Sequence, residues 1–322
     1  MSSDIRLPAS IEELFRCPVC RGMLRRDRDC ILCLSEDCNA VFPVIDNIPV
    51  LLHEKNSVFT IDDFKQKRDT FFETRPGRIK QNIKRLLPGL SKKIHDRQHL
   101  EMLVKILRQT SGPRRVLVLG GGMPGSGTEL FTNQASFDVV ETDVAIGPGT
   151  MLICDAHDIP FADESFDCVI ARSVLEHVAD PSVCVAEIYR VLRKGGVVYA
   201  ETAFMTPVHG GRYDFTRFTH LGHRRLFRKF DEIESGMVCG PGSALANAYR
   251  YFLISFASSK TMRMLLSAFA YMTAFPLKYA DYFLVNKPYA LDSASEYYFI
   301  GQKTGEPVSD RELINLYRGG FQ

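Results

Sequence analysis

Cys17-Pro-Val-Cys20 and, twelve residues further on, Cys33-Leu-Ser-Glu-Asp-Cys38 set four thiols in two close pairs. A two-residue gap curls a turn so that both thiolates face one ion, and two such turns complete a tetrahedron. Four soft thiolates with no open position suit zinc in a structural role. Cys30 stands three before Cys33, so a Cys30/Cys33 pair competes for the second half-site. Cys38 is the preferred ligand, because the turn into Asn39-Ala40-Val41 needs an anchor. The ion would supply much of the folding energy of a segment of ~40 residues, which is too small to stand alone.

A second constellation begins at Gly120-Gly121-Gly122, with Gly125 and Gly127 close behind, and continues to Asp143. Glycines at a strand-to-helix turn let backbone approach a ligand closely, and a helix N-terminus offers free N–H groups. An acid at the tip of the next strand can accept from both hydroxyls of a ribose. The elements that would hold these groups are legible. Val116-Leu-Val-Leu119 leaves no wet face and reads as a buried strand. Phe137–Thr142, Met151–Cys154 and Ser165–Ile170 follow as further strands, and Pro181–Leu192 as a helix stopped by Gly195-Gly196. A fifth strand runs from Gly196 to Thr202, and the last sheet strand from Glu296 to Gln302. Strands alternating with helices predict a doubly wound, mostly parallel α/β sheet with its ligand at the strand C-terminal ends.

LVLGGGMPG, VETDV, CDAHDIPF, SFDCVIARSVLEHV and EIYRVLRKGGVVYAET together resemble the class I S-adenosylmethionine-dependent methyltransferases. The resemblance implies a seven-stranded Rossmann-like sheet. It implies that Gly120, Gly121 and Gly122 meet the methionine part, Asp143 the ribose, Asp155 and Ala156 the adenine, and that Arg172 and Ser173 line the site. Residues 17–52 look like the zinc ribbon of tRNA-methyltransferase activators. Such a ribbon can hold RNA, hold a partner or cap the sheet.

The polar-aromatic loop after the fifth strand resembles a methyltransferase subgroup carrying His-Gly-x-x-x-Asp-x-x-Arg-x-Thr, matched by His209, Gly210, Asp214, Arg217 and Thr219. On that reading His209 is a general base, Asp214 orients it or the acceptor, and Arg217 holds an anionic or hydroxyl-rich acceptor. The alternative is a structural corner in which Asp214 and Arg217 pair with each other. Glu176 and His177 are weaker candidates for the base role, since helix-opening positions beyond the fourth strand can also be supporting structure.

Charge is uneven along the chain. Residues 65–115 carry 15 Lys or Arg against 4 Asp or Glu, whereas residues 116–322 carry 18 against 23. The basic connector, with Ile79, Ile83, Leu86 and Leu87 on one helical face, is a solvated surface or a site for phosphate of RNA or of a membrane. Residues 243–285 read as an apolar, aromatic helical hairpin whose longest uncharged run, Met264–Leu277, falls short of the ~20 residues a bilayer needs. It is a lid, a dimer face or an interfacial membrane contact. Met1–Ser10 lacks an apolar leader segment, and nine cysteines, an odd number, suit a reducing compartment better than a disulfide scaffold. The expected compartment is cytoplasmic, with peripheral membrane contact as its variant.

The expected organisation is a zinc ribbon at 1–55, a basic helical connector at 56–113, a methyltransferase domain at 114–304 with its insertion at 243–285, and a tail helix at 305–322. The expected acceptor is an oxygen or nitrogen of a small molecule or glycan intermediate. Structured RNA is the rival acceptor, and a non-catalytic adaptor is the rival function.

Overall fold

A computed structural model describes residues 7–70, 87–109, 112, 114–122 and 128–321. The basic helical face around Ile79 and Ile83 lies outside the described residues, as do Pro124, Gly125 and Gly127. The small N-terminal sheet orders β1 (Leu24–Asp27), β2 (Cys30–Cys33), β3 (Val41–Ile45) and β4 (Ile48–Pro49) as an antiparallel meander.

The large sheet comprises β5 (Arg114–Leu119), β6 (Phe137–Asp143), β7 (Leu152–Ile153), β8 (Phe166–Arg172), β9 (Leu192–Ala203), β10 (Phe230–Cys239) and β11 (Glu296–Lys303). Its spatial order is β10-β11-β9-β8-β5-β6-β7. β5 pairs in parallel with β6 on one side and β8 on the other, so the order reverses there and opens a crevice at their C-terminal ends. Only β11 runs backwards, inserted between β9 and β10. The sheet is thus doubly wound and mostly parallel, as expected. The long β10 follows a short helix at His220–Leu226 and was not marked by the sequence, because Asp231-Glu232-Ile233-Glu234 breaks any apolar run on this edge strand.

Helix Pro181–Val191 forms where expected: Asp180 accepts from the Ser182 and Val183 N–H groups, and Pro181 fills the first turn. The glycines thought to stop that helix instead lie inside β9, which starts at Leu192 and turns at Gly195 with φ of 77°.

One continuous core joins Ile11, Phe15, Cys17, Phe42 and Leu51 of the N-terminal segment to Leu152 of β7 and to Ile159 and Phe161 in the loop after it. Leu51 N–H donates to the Ile153 carbonyl at 2.9 Å, so the chain leaving the small sheet runs alongside β7. The N-terminal segment is therefore packed into the edge of the large sheet.

Helix His220–Leu226 buries two imidazoles against β10 and β11. Burial, with Arg318 beside it, pushes His220 down to about 4. Burial, with His220 nearby, pushes His223 down to about 3. Both lie below the unfolded value of about 6.5, so the unfolded chain binds protons that the folded one refuses, and stability falls with pH between about 7 and 4. The expected loss is about 3 kcal/mol per histidine by pH 4. Urea midpoints measured across that range should decline, and His223→Leu should flatten the decline.

Candidate active site

β5 ends in four buried apolar residues and delivers the chain into Gly120, whose φ is 72°. A Cβ there would lie 2.7 Å from Val174 Cγ2, so only glycine fits. Gly121 N–H donates to the Thr142 carbonyl at 3.0 Å, and Gly122 N–H to Asp143 Oδ2 at 2.9 Å. A Cβ on Gly122 would stand 2.6 Å from that same Oδ2. The glycine turn and the acid-tipped strand thus close on each other across the crevice.

Asp143 is 6% exposed, and its Oδ1 accepts from Ala145 N–H at 3.0 Å. Burial pushes its carboxyl up to about 6, against the pull of these N–H groups. A carboxylate offers about four lone-pair sites, and the Gly122, Val144 and Ala145 N–H groups draw on them, which leaves capacity for a hydroxyl donor. The cradle therefore fits a ribose-bearing cofactor.

At the end of β7, Asp155 Oδ1 accepts from His157 N–H at 3.1 Å and Nδ1 at 2.5 Å, while Oδ2 accepts from Ser57 Oγ at 2.5 Å. Burial pulls Asp155 upward, but His157 and Ser57 overcome it and hold the carboxyl below its usual range. Ala156 is buried beside it. Ser57 belongs to the segment leaving the small sheet, which also sends Asn56 Nδ2 to Asp158 at 2.9 Å and packs Phe59 on Tyr213 with ring centroids 5.2 Å apart. Thr70 Oγ1 donates to the Val144 carbonyl at 2.6 Å. Residues 53–70 therefore brace the loops after β6 and β7. A lone serine in a polar stretch carries no periodic signal, so nothing in the sequence marked it.

Arg172 is committed elsewhere. Its guanidinium pairs with Asp96 and, at 3.1 Å, with the fully buried Glu201. Burial alone would neutralise Glu201, but Lys93 and Arg172 hold it charged. Two carboxylates thus draw the Arg172 head into a buried ion cluster. Ser173 sits at φ of 53° and donates its N–H to the Glu201 carbonyl at 2.9 Å.

The opposite lip comes from residues 174–178 and 206–219. Phe215 and Thr216 N–H groups both donate to the Glu176 carbonyl, at 2.8 and 3.2 Å, and this hangs the second loop on the first. His209 Nε2 lies 3.1 Å from His177 Nε2 and 3.9 Å from Glu176 Oε1. Gly210 packs so tightly that a Cβ would stand 2.5 Å from His177 Nδ1. Asp214 Oδ2 accepts from His209 and Gly210 N–H groups at 2.7 and 3.0 Å. Burial works against the Asp214 charge, but Arg217 and these N–H groups hold the carboxyl well below its usual range. All five Arg217 donors stay within the loop, on both Asp214 oxygens and the carbonyls of Thr206, Pro207 and Thr216. Arg217 is thus spent on shaping the corner, and it has no donor left for an acceptor. Glu176 and His177, the weaker candidates in the sequence, stand beside His209 because the two loops meet only in three dimensions.

In the ribbon, Cys17 Sγ lies 3.7 Å from Cys38 Sγ and Cys20 Sγ 3.5 Å from Cys33 Sγ, and the four sulfurs lie within 4.8 Å of one another. Sulfurs ~2.3 Å from one tetrahedral ion are ~3.8 Å apart, so the donor set fits zinc. Cys30 Sγ is turned to the Asp27 carbonyl at 3.2 Å.

Residues 117–200 match the methyltransferase domain family. An uncharacterized methyltransferase of Mycolicibacterium paratuberculosis is 31% identical over 134 residues, covering 38% of this chain and 51% of that protein. A ubiquinone/menaquinone biosynthesis C-methyltransferase of Geotalea daltonii is 42% identical over 112 residues, covering 34% of this chain and 42% of that protein. The chain spans about half the length of the curated relatives it matches. Among solved structures, the S-adenosyl-L-methionine complex of Haemonchus contortus phosphoethanolamine N-methyltransferase 2 superposes with a TM-score of 0.40 at 17% identity, covering 64% of this chain and 52% of that one. Residues 117–200 of this chain thus resemble a methyltransferase domain.

Proposed function

We propose that the whole chain is an S-adenosylmethionine-dependent methyltransferase whose acceptor is an oxygen or nitrogen of a small molecule or glycan intermediate. The observation that carries this is the closure of Gly122 N–H on Asp143 at the reversal point of the sheet. The bound cofactor would supply an electrophilic methyl group for in-line displacement. Gly120, Gly121 and Gly122 hold its methionine end, Asp143 the ribose, and Asp155 with Ala156 the adenine. Burial raises the Asp143 carboxyl, and the surrounding N–H donors favour its charged form, as a diol acceptor requires.

Positioning supplies much of the rate in such a displacement, and a hydroxyl acceptor also needs a base. His209 is that base. Asp214 and Arg217 position it, because their mutual ion pair fixes the backbone on which the imidazole is carried. The ribbon, with zinc on Cys17, Cys20, Cys33 and Cys38, caps the sheet edge and braces Asp155 through Ser57. The mildly acidic character of residues 116–322 favours a small acceptor over RNA.

Incubating the full chain with methyl-labelled cofactor and a fractionated extract tests the acceptor class. Label in the small-molecule fraction is expected; label confined to RNA overturns it. His209→Ala should lower turnover by ~10²- to 10⁴-fold while leaving S-adenosylhomocysteine affinity unchanged.

The helices Pro241–Ile254 and Lys260–Ala274 support a second contact, with a membrane surface. Phe252, Phe256, Leu265, Phe269 and Phe283 are more than half exposed, with Lys260 and Arg263 exposed beside them. Among the described residues no helix is long and apolar enough to cross a membrane. Tyr251 hydroxyl donates to the Val208 carbonyl at 2.5 Å, which ties this hairpin to the His209 loop. Co-sedimentation with anionic vesicles should retain the chain, and Phe252→Ser with Phe256→Ser should release it.

A further inference from the structure

The two loops of the acceptor lip place more at one point than proton removal needs. His177 Nδ1 lies 2.9 Å from the Tyr213 carbonyl, which can only accept, so the proton of the neutral ring sits on Nδ1. His209 Nδ1 lies 3.3 Å from the Pro207 carbonyl and 3.6 Å from Asp214 Oδ2, which again draws the proton to Nδ1. Both Nε2 atoms are then unprotonated, and they face each other at 3.1 Å. Two lone pairs at that distance repel unless something electropositive lies between them. Beside them stands Glu176, 1% exposed, whose Oε2 has no hydrogen-bond partner among the described residues. The three ligand atoms lie within 4.8 Å of one another.

We infer that Glu176, His177 and His209 form a binding site for a first-row divalent transition-metal ion, separate from the four-thiol ribbon. The spacing is quantitative. Two nitrogens ~2.1 Å from one ion stand ~3.0 Å apart as adjacent octahedral ligands and ~3.4 Å apart at the tetrahedral angle. The observed 3.1 Å matches the octahedral pair. The 3.9 Å from Glu176 Oε1 to His209 Nε2 falls inside the span open to a third ligand, ~3.0 to ~4.2 Å. Imidazole and carboxylate donors suit such ions, and Nδ1–H groups donating to carbonyls are how ligating histidines are oriented. Glu176 is buried with one oxygen unpartnered among the described residues, and a bound cation would offset the cost of burying its charge.

Three protein ligands leave up to three positions of a six-coordinate ion open at the crevice. The site therefore selects an acceptor with two neighbouring oxygens that chelate the ion, such as a vicinal diol or a hydroxy acid. This rests on the proposed placement of the acceptor at this lip; with the ion bound His209 Nε2 is a ligand, and it acts as the base only in the ion-free chain.

The test is Co²⁺ titration of the full chain with its ribbon already loaded with zinc. One further equivalent should bind, with weak ligand-field absorption and no thiolate charge-transfer band. His177→Gln and His209→Gln should each lower Co²⁺ affinity by at least ~100-fold, and Glu176→Gln, nearly the same shape, by ~10-fold or more with an unchanged melting temperature. Gly210→Ala should weaken binding by displacing the His177 ring. Absence of a second equivalent, or affinity unchanged in both histidine variants, overturns the site and leaves a shared proton between the rings. Calorimetry with S-adenosylhomocysteine on the same sample separates the two readings. Retained nucleoside binding without Co²⁺ binding sinks the ion alone; loss of nucleoside binding in the native chain sinks the methyltransferase reading.

Discussion

Asp143→Ala should weaken S-adenosylhomocysteine binding by ~30- to 150-fold, equivalent to ~2–3 kcal/mol for charge-assisted hydrogen bonding to the ribose. The carboxylate is nearly enclosed, so no neighbouring water can take over its bonds cheaply. It also anchors the glycine turn through Gly122 N–H and the following loop through Ala145 N–H, so its loss loosens both walls of the crevice. Asp143→Asn should recover only part of the affinity. Its amide can still accept, but it lacks the charge, and its NH₂ would be turned on one of two N–H donors. Calorimetry on the folded variants decides this, with thermal melts confirming the fold. Unchanged affinity in Asp143→Ala would remove the residue from the site.

Cys20→Ser, or chelation of the native chain, should destabilise the whole molecule by ~5 kcal/mol or more and lower its melting temperature by ~10–20 °C. A structural ion contributes folding free energy directly, and three thiolates cannot close the same tetrahedron. The effect should reach the large sheet, because the two are packed as one core. Arg21 donates to the Ile159 carbonyl at 2.9 Å and to Glu187 at 2.8 Å, so the thiol turn is bolted to the loop after β7 and to helix Pro181–Val191. Nucleoside affinity should fall as well, since Ser57 would lose its hold on Asp155. Metal analysis before and after chelation, paired with melting curves, supplies the measurement. A metal-free chain with an unshifted melt would show that the four thiols are ordinary packing.

The sequence carried the central sheet almost completely, for a local reason. Val116–Leu119 can only be a buried strand, and Gly120 is needed where φ is positive and Val174 presses on the backbone. The order glycine turn, acid-tipped strand, Asp-Ala strand and glycine-bearing β9 follows chain order, so it is read without knowing any long-range contact. The four thiols share that property: two short turns define the set, and pairing of β2 with β1 and β3 then presents Cys33 to it while Cys30 turns to Asp27.

What escaped the sequence has a common character. β10 is an edge strand with acids where an apolar run would be expected, and it exists because β11 offers it a ladder. Arg172 follows β8 directly, yet Asp96 and Glu201, from distant parts of the chain, draw its charge into a buried cluster. Ser57 reaches Asp155 across nearly a hundred residues. Asp281 shows the same effect in the hairpin: fully buried, it accepts from Gly240, Gly242 and Ser243 N–H groups and so caps a helix that begins about forty residues earlier.

Residue type and near spacing thus determined the sheet, the glycine turn with its facing acid and the thiol knuckle, since each is set by backbone rules acting over a few positions. Tertiary structure alone decided which charged groups meet: Glu176 and His177 with His209, Arg172 with Glu201, Ser57 with Asp155. Electrostatics acts through space, between groups that only the folded chain brings within a few ångströms. The pairing of titratable side chains is therefore a property of the packed molecule.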